Sequence, residues 1–226
     1  MTTRTLEVRS AALGAVELRA AAENQIGTLH GYAAVFNRYS QNLGGFVEVV
    51  DPACFNKSLA DDVPVMARFN HNDNLLIGTT EANTLRLEVD GTGLAYDVDL
   101  PDTSTGRDLH ALGKRGDIRY SSFAFYTVHD EWGVTEQGFP LRILRSVQLV
   151  DVAPVANPAY RDTTVAVRSL CERLGVEVEE IPSLEPDELR SRLVDDAGSA
   201  QDREEPPAPH ATMALRSRLL ELEALR

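Results

Sequence analysis

Ser122, His71 and Asp151 are the side chains of this sequence whose types could together break a carbonyl–nitrogen bond. A serine hydroxyl is almost wholly protonated at neutral pH and becomes a nucleophile only when a base takes its proton. An imidazole can be that base, and a carboxylate on its far nitrogen fixes the tautomer and stabilises the charged ring. Ser122 lies in Arg119-Tyr120-Ser121-Ser122-Phe123-Ala124-Phe125, running on to Val128, rich in aromatic and β-branched residues without Pro or Gly. Such a run reads as a strand. Alternation puts Ser122 on one face with Tyr120, Ala124 and Tyr126, and Ser121 on the other with Phe123 and Phe125, the side that anchors the strand. Taken alone, a strand serine is usually no more than a hydrogen-bonded structural residue, so its company along the chain decides.

The candidate bases are His30, His71, His110, His129 and His210. His210 lies in a Pro-rich stretch, His110 on an exposed helical position, and His129 seven residues along an extended strand, roughly 23 Å from Ser122. His71 ends the alternating run Val63, Val65, Ala67, Phe69 and precedes the polar turn Asn72-Asp73-Asn74. Along Leu141–Val152, a further strand, Asp151 shares a face with Ile143, Val147 and Leu149 if the strand runs unbroken. A carboxylate on an apolar face needs a partner. Arg145, on the same nominal face, would make Asp151 structural; His71 would make it catalytic.

Other chemistries find no support. The sequence has no G-x-S-x-G elbow, H-E-x-x-H, C-x-x-C or P-loop pattern. Cys54 and Cys171 lie far apart, as expected of reduced intracellular thiols. A net charge of −13 without any basic run argues against nucleic-acid binding. No apolar run approaches the ~18 residues of a membrane span, and no basic-then-apolar leader opens the chain, so a soluble cytoplasmic protein is expected.

The elements that must position these residues follow from periodicity and punctuation. Thr28–Phe36 reads as a strand closed by Asn37, Gly44-Gly45 as a loop, and Phe46–Val50 as a short strand. Asp51 and Pro52 open a short helix through Leu59, as N-cap and first helical residue. Leu85–Val89 and Leu94–Leu100 alternate around Gly91-Thr92-Gly93, the clearest hairpin. Ser104 caps a helix from Thr105 to Lys114 that ends at Gly113 or Gly116. Residues 1–26 admit a short strand at Val16 and Leu18. These elements predict an α+β domain, mostly antiparallel and barrel-like, with a few short helices, over residues 1–168.

Residues 169–226 read differently, as a flexible, partly helical C-terminal tail. From Cys171 onward the chain holds five of the eleven prolines and a net charge of −7. Leu170 and Leu174 suit a short helix stopped by Gly175; Leu189 and Leu193 suit a second, and Leu215, Leu219 and Leu222 form an amphipathic stripe on a third.

In order along the chain come Gly31-Tyr32-Ala33-Ala34-Val35-Phe36-Asn37, Gly44-Gly45-Phe46-x-Glu48-x-Val50, Phe69-Asn70-His71, and Pro101-Asp102-Thr103-Ser104-x-Gly106-Arg107-Asp108. Arg115-Gly116-Asp117 through Ser122-Phe123-x-Phe125 follow, then Val150-Asp151-Val152-Ala153-Pro154-Val155-x-x-Pro158-Ala159-Tyr160. This set resembles the prohead (capsid maturation) serine proteases of tailed bacteriophages, a family similar in fold to the herpesvirus assemblins, over roughly residues 28–168. The resemblance implies a serine endopeptidase without a cofactor or metal. Its substrates would be scaffold or major-capsid-protein precursor segments, and itself, inside the assembling prohead in the host cytoplasm. A homo-oligomer would be possible, with neither nucleic acid nor membrane as partner. The family serine falls on Ser122, the histidine on His71 and the third residue, often Glu, on Asp151, one methylene shorter. Where the family tends to read Gly-Met-Ser-Phe-Gly-Phe, this chain reads Tyr-Ser-Ser-Phe-Ala-Phe, so Ser121 is a second hydroxyl; strand facing favours Ser122. The alternatives are an inactive assembly module of the same fold and a hydrolase of another substrate class.

Overall fold

The computed structural model describes residues 5–11, 16–19, 26–61, 63–157, 163–177, 180, 188 and 191–193. In chain order the elements are β1 (Leu6–Ala11), β2 (Glu17–Arg19), β3 (Thr28–Val35), β4 (Val47–Val50), α1 (Asn56–Ala60) and β5 (Met66–Arg68). A 3-10 turn at Phe69–His71 leads to β6 (Leu76–Thr79), β7 (Leu85–Val89), β8 (Gly93–Asp99), α2 (Ser104–Arg115), β9 (Tyr120–Val134), β10 (Pro140–Val155) and α3 (Thr163–Leu174). The stripe Leu215, Leu219 and Leu222, the helix position Leu189, and His210 lie outside the described residues.

The architecture is α+β, strands predominating. A six-stranded sheet runs β1-β9-β10-β5-β6 with β4 also on β10, and a four-stranded sheet runs β2-β3-β8-β7. Most pairs are antiparallel; β4 and β5 run parallel to β10. Among the described residues neither sheet closes on itself, so the expected barrel is here two open sheets. Their facing sides make the core: Leu29, Ala33, Leu94, Tyr96 and Val98 meet Phe123, Phe125, Val147, Leu149 and Val152, with Phe55, just ahead of α1, and Leu109 of α2 filling in. At Gly31 of β3 the sheets leave no room for a side chain, since a Cβ there would stand 2.6 Å from Ser121 Oγ.

Local chemistry explains the boundaries, and corrects some expectations. The predicted hairpin is β7–β8 with Leu85 opposite Val98. Helix α2 is capped by Thr103, one residue before the expected Ser104; Thr103 Oγ1 accepts from Gly106 N, and Gly116 ends the helix at φ 80°. The Asp51-Pro52 segment is first a turn: Asp51 Oδ1 accepts from Ala53 N at 2.8 Å, and α1 starts only at Asn56.

A second apolar cluster joins Phe46 to Leu170 and Leu174 of α3 and to Leu193, packed against Trp132 and Val134 of β9. Helix α3 ends at Gly175 (φ 65°) and crosses the expected division at 168/169. Leu193 is fully buried.

The ladder between β9 and β10 determines which way Asp151 points. Leu149 pairs with Phe125, but Asp151 pairs with Ala124, so Val150 is an extra residue on β10. Directly opposed residues share a face. The bulge therefore moves Asp151 off the apolar side of Leu149 and onto the side of Ser122. A further irregularity between Leu144 and Val147 shifts the buried phase from Arg142 and Leu144 to Val147 and Leu149. The expected single face from Ile143 to Asp151 is thus broken twice, and Arg145 pairs with Asp51 and Glu131 rather than with Asp151.

Candidate active site

Three neighbouring strands of one sheet bring Ser122, His71 and Asp151 together. Strand β9 carries Ser122, with Phe123 and Phe125 stacked on the core side, ring centroids 5.0 Å apart. Strand β10 carries Asp151, two positions before the partner of Ser122, Ala153. Strand β5 pairs Met66 with Asp151. The chain then leaves β5 in a turn where Asn70 and His71 both take positive φ, 55° and 54°. His71 is thus not the last residue of a strand face, as the alternation predicts. The left-handed backbone, uncommon for residues with a Cβ, swings its ring back over the sheet. Asn70 Oδ1 accepts from Ala156 N at 3.0 Å and ties that turn to the end of β10.

The resulting hydrogen bonds are continuous. His71 Nε2 lies 2.7 Å from Ser122 Oγ, and His71 Nδ1 lies 2.5 Å from Asp151 Oδ1. The other carboxylate oxygen, Oδ2, accepts from Arg68 Nη1 at 2.9 Å. Asp151 is 2% exposed, and in that setting a carboxylate is stable only with such partners. The other described histidines lie elsewhere: His30 Nδ1 contacts Asp97 in the second sheet, His110 lies on α2, and His129 sits opposite Ser146. Ser121 points to the other face and its hydroxyl meets Tyr96 Oη at 2.9 Å.

Two features escape sequence reasoning. One is Arg68, which only the parallel pairing of β5 with β10 carries to Asp151. The other is β1. It pairs antiparallel with β9 so that Ser10 stands opposite Ser122. The backbone carbonyl of Arg9 stands 2.8 Å from Ser122 Oγ and competes with His71 Nε2 for its single proton, and Ser122 has no exposed surface. The charged residues of β1 point inward, against the usual pattern. Glu7, Arg9, Glu48 and Arg142 form a buried ion network on the Phe125 side, with Arg9 Cζ 5.7 Å from that ring. The signal for β1 was the alternation in Leu6-Glu7-Val8-Arg9; its inverted polarity hid the strand.

Among the described residues no three His, Cys, Asp or Glu side chains converge to hold a metal ion. None of the described helices is long and apolar enough to cross a membrane.

In this two-sheet α+β protein the serine, histidine and carboxylate are thus linked by hydrogen bonds across adjacent strands. The model of the Caudovirus prohead serine protease family matches residues 14–174, and the chain belongs to that family. Among solved structures, the bacteriophage T4 capsid assembly protease is similar at 13% identity and a TM-score of 0.48, covering 68% of this chain and 98% of that one. No curated protein matches the sequence.

Proposed function

We propose that this chain is an endopeptidase that cleaves scaffold or capsid-precursor segments, and its own chain, inside the assembling head in the host cell, with Ser122, His71 and Asp151 as its catalytic residues. The observation that carries this reading is the unbroken run of contacts from Ser122 Oγ through both ring nitrogens of His71 to the buried Asp151. Ser122 Oγ attacks the scissile carbonyl carbon while His71 Nε2 takes its proton. The carbon–nitrogen bond then breaks as His71 returns that proton to the leaving amine. Water, deprotonated by the same imidazole, hydrolyses the Ser122 ester and frees the new carboxylate. Asp151 holds the ring with its Nδ1–H toward the carboxylate and stabilises the imidazolium, and Arg68 positions Asp151. No cofactor takes part.

Within the acidic residues 169–226, the part beyond the packed Leu193 is read as the segment that brings this unit to its substrate, by tethering it to a helical scaffold partner. The test of the whole reading is incubation with the neighbouring capsid precursor and mapping of the new termini, beside Ser122→Ala. Defined new termini with the wild type alone are expected; identical products from both proteins would remove Ser122 from the chemistry.

A second reading, an inactive assembly module, draws on the complete burial of Ser122 behind β1. Failure of both cleavage and labelling by an active-site serine probe would favour it.

A further inference from the structure

Strand β1 occupies the free edge of β9 in the orientation a substrate strand would need. It runs antiparallel to β9, its other edge has no partner strand among the described residues, and one of its carbonyls, that of Arg9, is the backbone acceptor at Ser122 Oγ. Edge pairing through backbone groups is indifferent to sequence, so any selection between strands must come from the side chains that alternate into the protein. On β1 those are Glu7 and Arg9. Arg9 meets Glu48 through two parallel bonds, Nε to Oε1 at 2.8 Å and Nη2 to Oε2 at 3.1 Å. Glu7 meets Arg142 in the same forked way, Nη1 to Oε2 at 2.7 Å and Nη2 to Oε1 at 3.1 Å, and accepts from Thr127 Oγ1 at 2.7 Å.

Glu48 and Arg142 belong to β4 and β10, and would stay when β1 leaves. Each is buried to 3% exposure or less. They lie 3.2 Å apart, and Arg142 also holds Asp130, so Glu48 retains one ion-pair partner and Arg142 two, and each loses a forked one. A strand with neutral side chains at these two places would leave both groups enclosed and short of partners, the situation in which a site discriminates most strongly. Forked geometry adds shape to charge, because a guanidinium and a carboxylate present two parallel donors and acceptors.

Resting on the protease reading, we propose that Glu48 and Arg142 are specificity-determining residues. Glu48 receives a basic side chain on the residue whose carbonyl Ser122 attacks, and Arg142 receives an acidic side chain two residues earlier. The substrate is then an extended segment of the pattern Glu-x-Arg, cut after the base. The chain's own Glu7-Val8-Arg9 carries that pattern and occupies the site. Both selective side chains lie on the sheet face opposite His71, and the residue between them faces the histidine, as strand alternation requires.

The test is hydrolysis of a peptide set by the full-length protein and by full-length Arg9→Ala, whose own strand no longer offers Glu48 a base. The peptides share one extended frame with Glu-x-Arg, Gln-x-Arg, Glu-x-Gln or Gln-x-Gln at its centre. Cleavage after Arg in the first peptide, about tenfold or more faster than in either singly neutral one, is expected. Glu48→Gln should remove the preference for Arg over Gln, and Arg142→Gln the preference for Glu over Gln. Both are read as ratios between peptides on one preparation, which do not depend on the folded fraction. Cleavage at other bonds, or equal rates across the set, would overturn the two subsites and leave the protease reading intact. Labelling of Ser122 by a serine probe with no peptide cut would overturn the subsites as well. No labelling and no cleavage would overturn the protease reading and the subsites with it.

Discussion

Arg68 donates from Nη1 to Asp151 Oδ2 at 2.9 Å, on the oxygen that His71 does not use. The carboxylate is thereby held from two sides, one oxygen for the ring and one for the guanidinium. Rotation about its own carbon–carbon bond would sacrifice both contacts at once. The guanidinium also offsets part of the cost of enclosing that carboxylate at 2% exposure. Arg68→Met should therefore lower turnover by about tenfold to a hundredfold, the worth of one buried charge-assisted bond. Single-turnover rates would check this. An unchanged rate with an intact fold would make Arg68 a surface partner of Asp73 only, its other ion-pair contact.

Ser122→Ala should fold and lose about a millionfold in turnover, the loss seen when a nucleophile of this type is removed. Ser121→Ala loses only the bond to Tyr96 on the opposite face and should keep most activity. Precursor cleavage followed by mass spectrometry separates the two; an inactive Ser121→Ala beside an active Ser122→Ala would reverse the assignment.

Asp151→Asn should lose roughly 10⁴ in turnover, since an amide cannot stabilise the imidazolium and can favour the wrong tautomer. Circular dichroism should show the fold retained. Wild-type turnover in this variant would leave Asp151 as a structural carboxylate paired with Arg68.

Glu7 links stability to pH. Burial alone would raise its pKa, but the hydrogen bond and charge of Arg142, the charge of Arg9 and the Thr127 hydroxyl outweigh it and hold the carboxyl below its ordinary 4.5. The folded state thus favours the ionised form. Its contribution is complete above pH 4.5 and is lost as pH falls through the lower folded value. Urea melts from pH 7 to 3 should show stability dropping below about pH 4.5. The drop should be shallower in Glu7→Gln, which has no proton to take up; parallel pH curves for the two proteins would exclude this group.

Leu170 is 1% exposed within the cluster of Phe46, Leu174 and Leu193. Leu170→Ala should destabilise the protein by about 2–5 kcal/mol, as large-to-small core changes do. Ending the chain at Ser169 should cost more, because it strips Leu174 and Leu193 from Phe46 as well. Thermal unfolding of both variants checks this, and an unshifted midpoint would show the cluster to be peripheral.

The strands flanking the site were legible because alternation survives in them: Thr28–Phe36, the β7–β8 hairpin and the Ser122 strand were each readable from period two alone. Facing also separated Ser121 from Ser122, since it depends only on neighbours within one strand. What the sequence did not disclose were departures from period two. Alternation makes His71 a strand end, because nothing local announces that Asn70 and His71 turn left-handed. An unbroken strand puts Asp151 on the Leu149 side; the bulge is a property of two strands, and the partner lies 27 residues away in the chain (Asp151 opposite Ala124). Strand β1 escaped because its inward residues are charged, and the residues that neutralise them, Glu48 and Arg142, are distant in sequence. Propensity describes a residue's own strand, whereas these three features are settled between strands.

The extra residue at Val150 has a consequence for how such sequences can drift in length. Loss of that single codon would straighten the ladder yet leave Asp151 opposite Ala124 and still on the side of Ser122. An insertion in the 135–139 turn would likewise leave the pairing of both strands untouched. Loss of Phe123 from β9 would instead seat Ser122 opposite Val152 and turn its hydroxyl to the far side of the sheet from Asp151. Gaps in this lineage should therefore collect at the hairpin tip and at the bulge and be purged between Ser122 and Ala124. A chain carrying all three residues but one residue short there would keep the appearance of an enzyme in its alignment and none of the geometry.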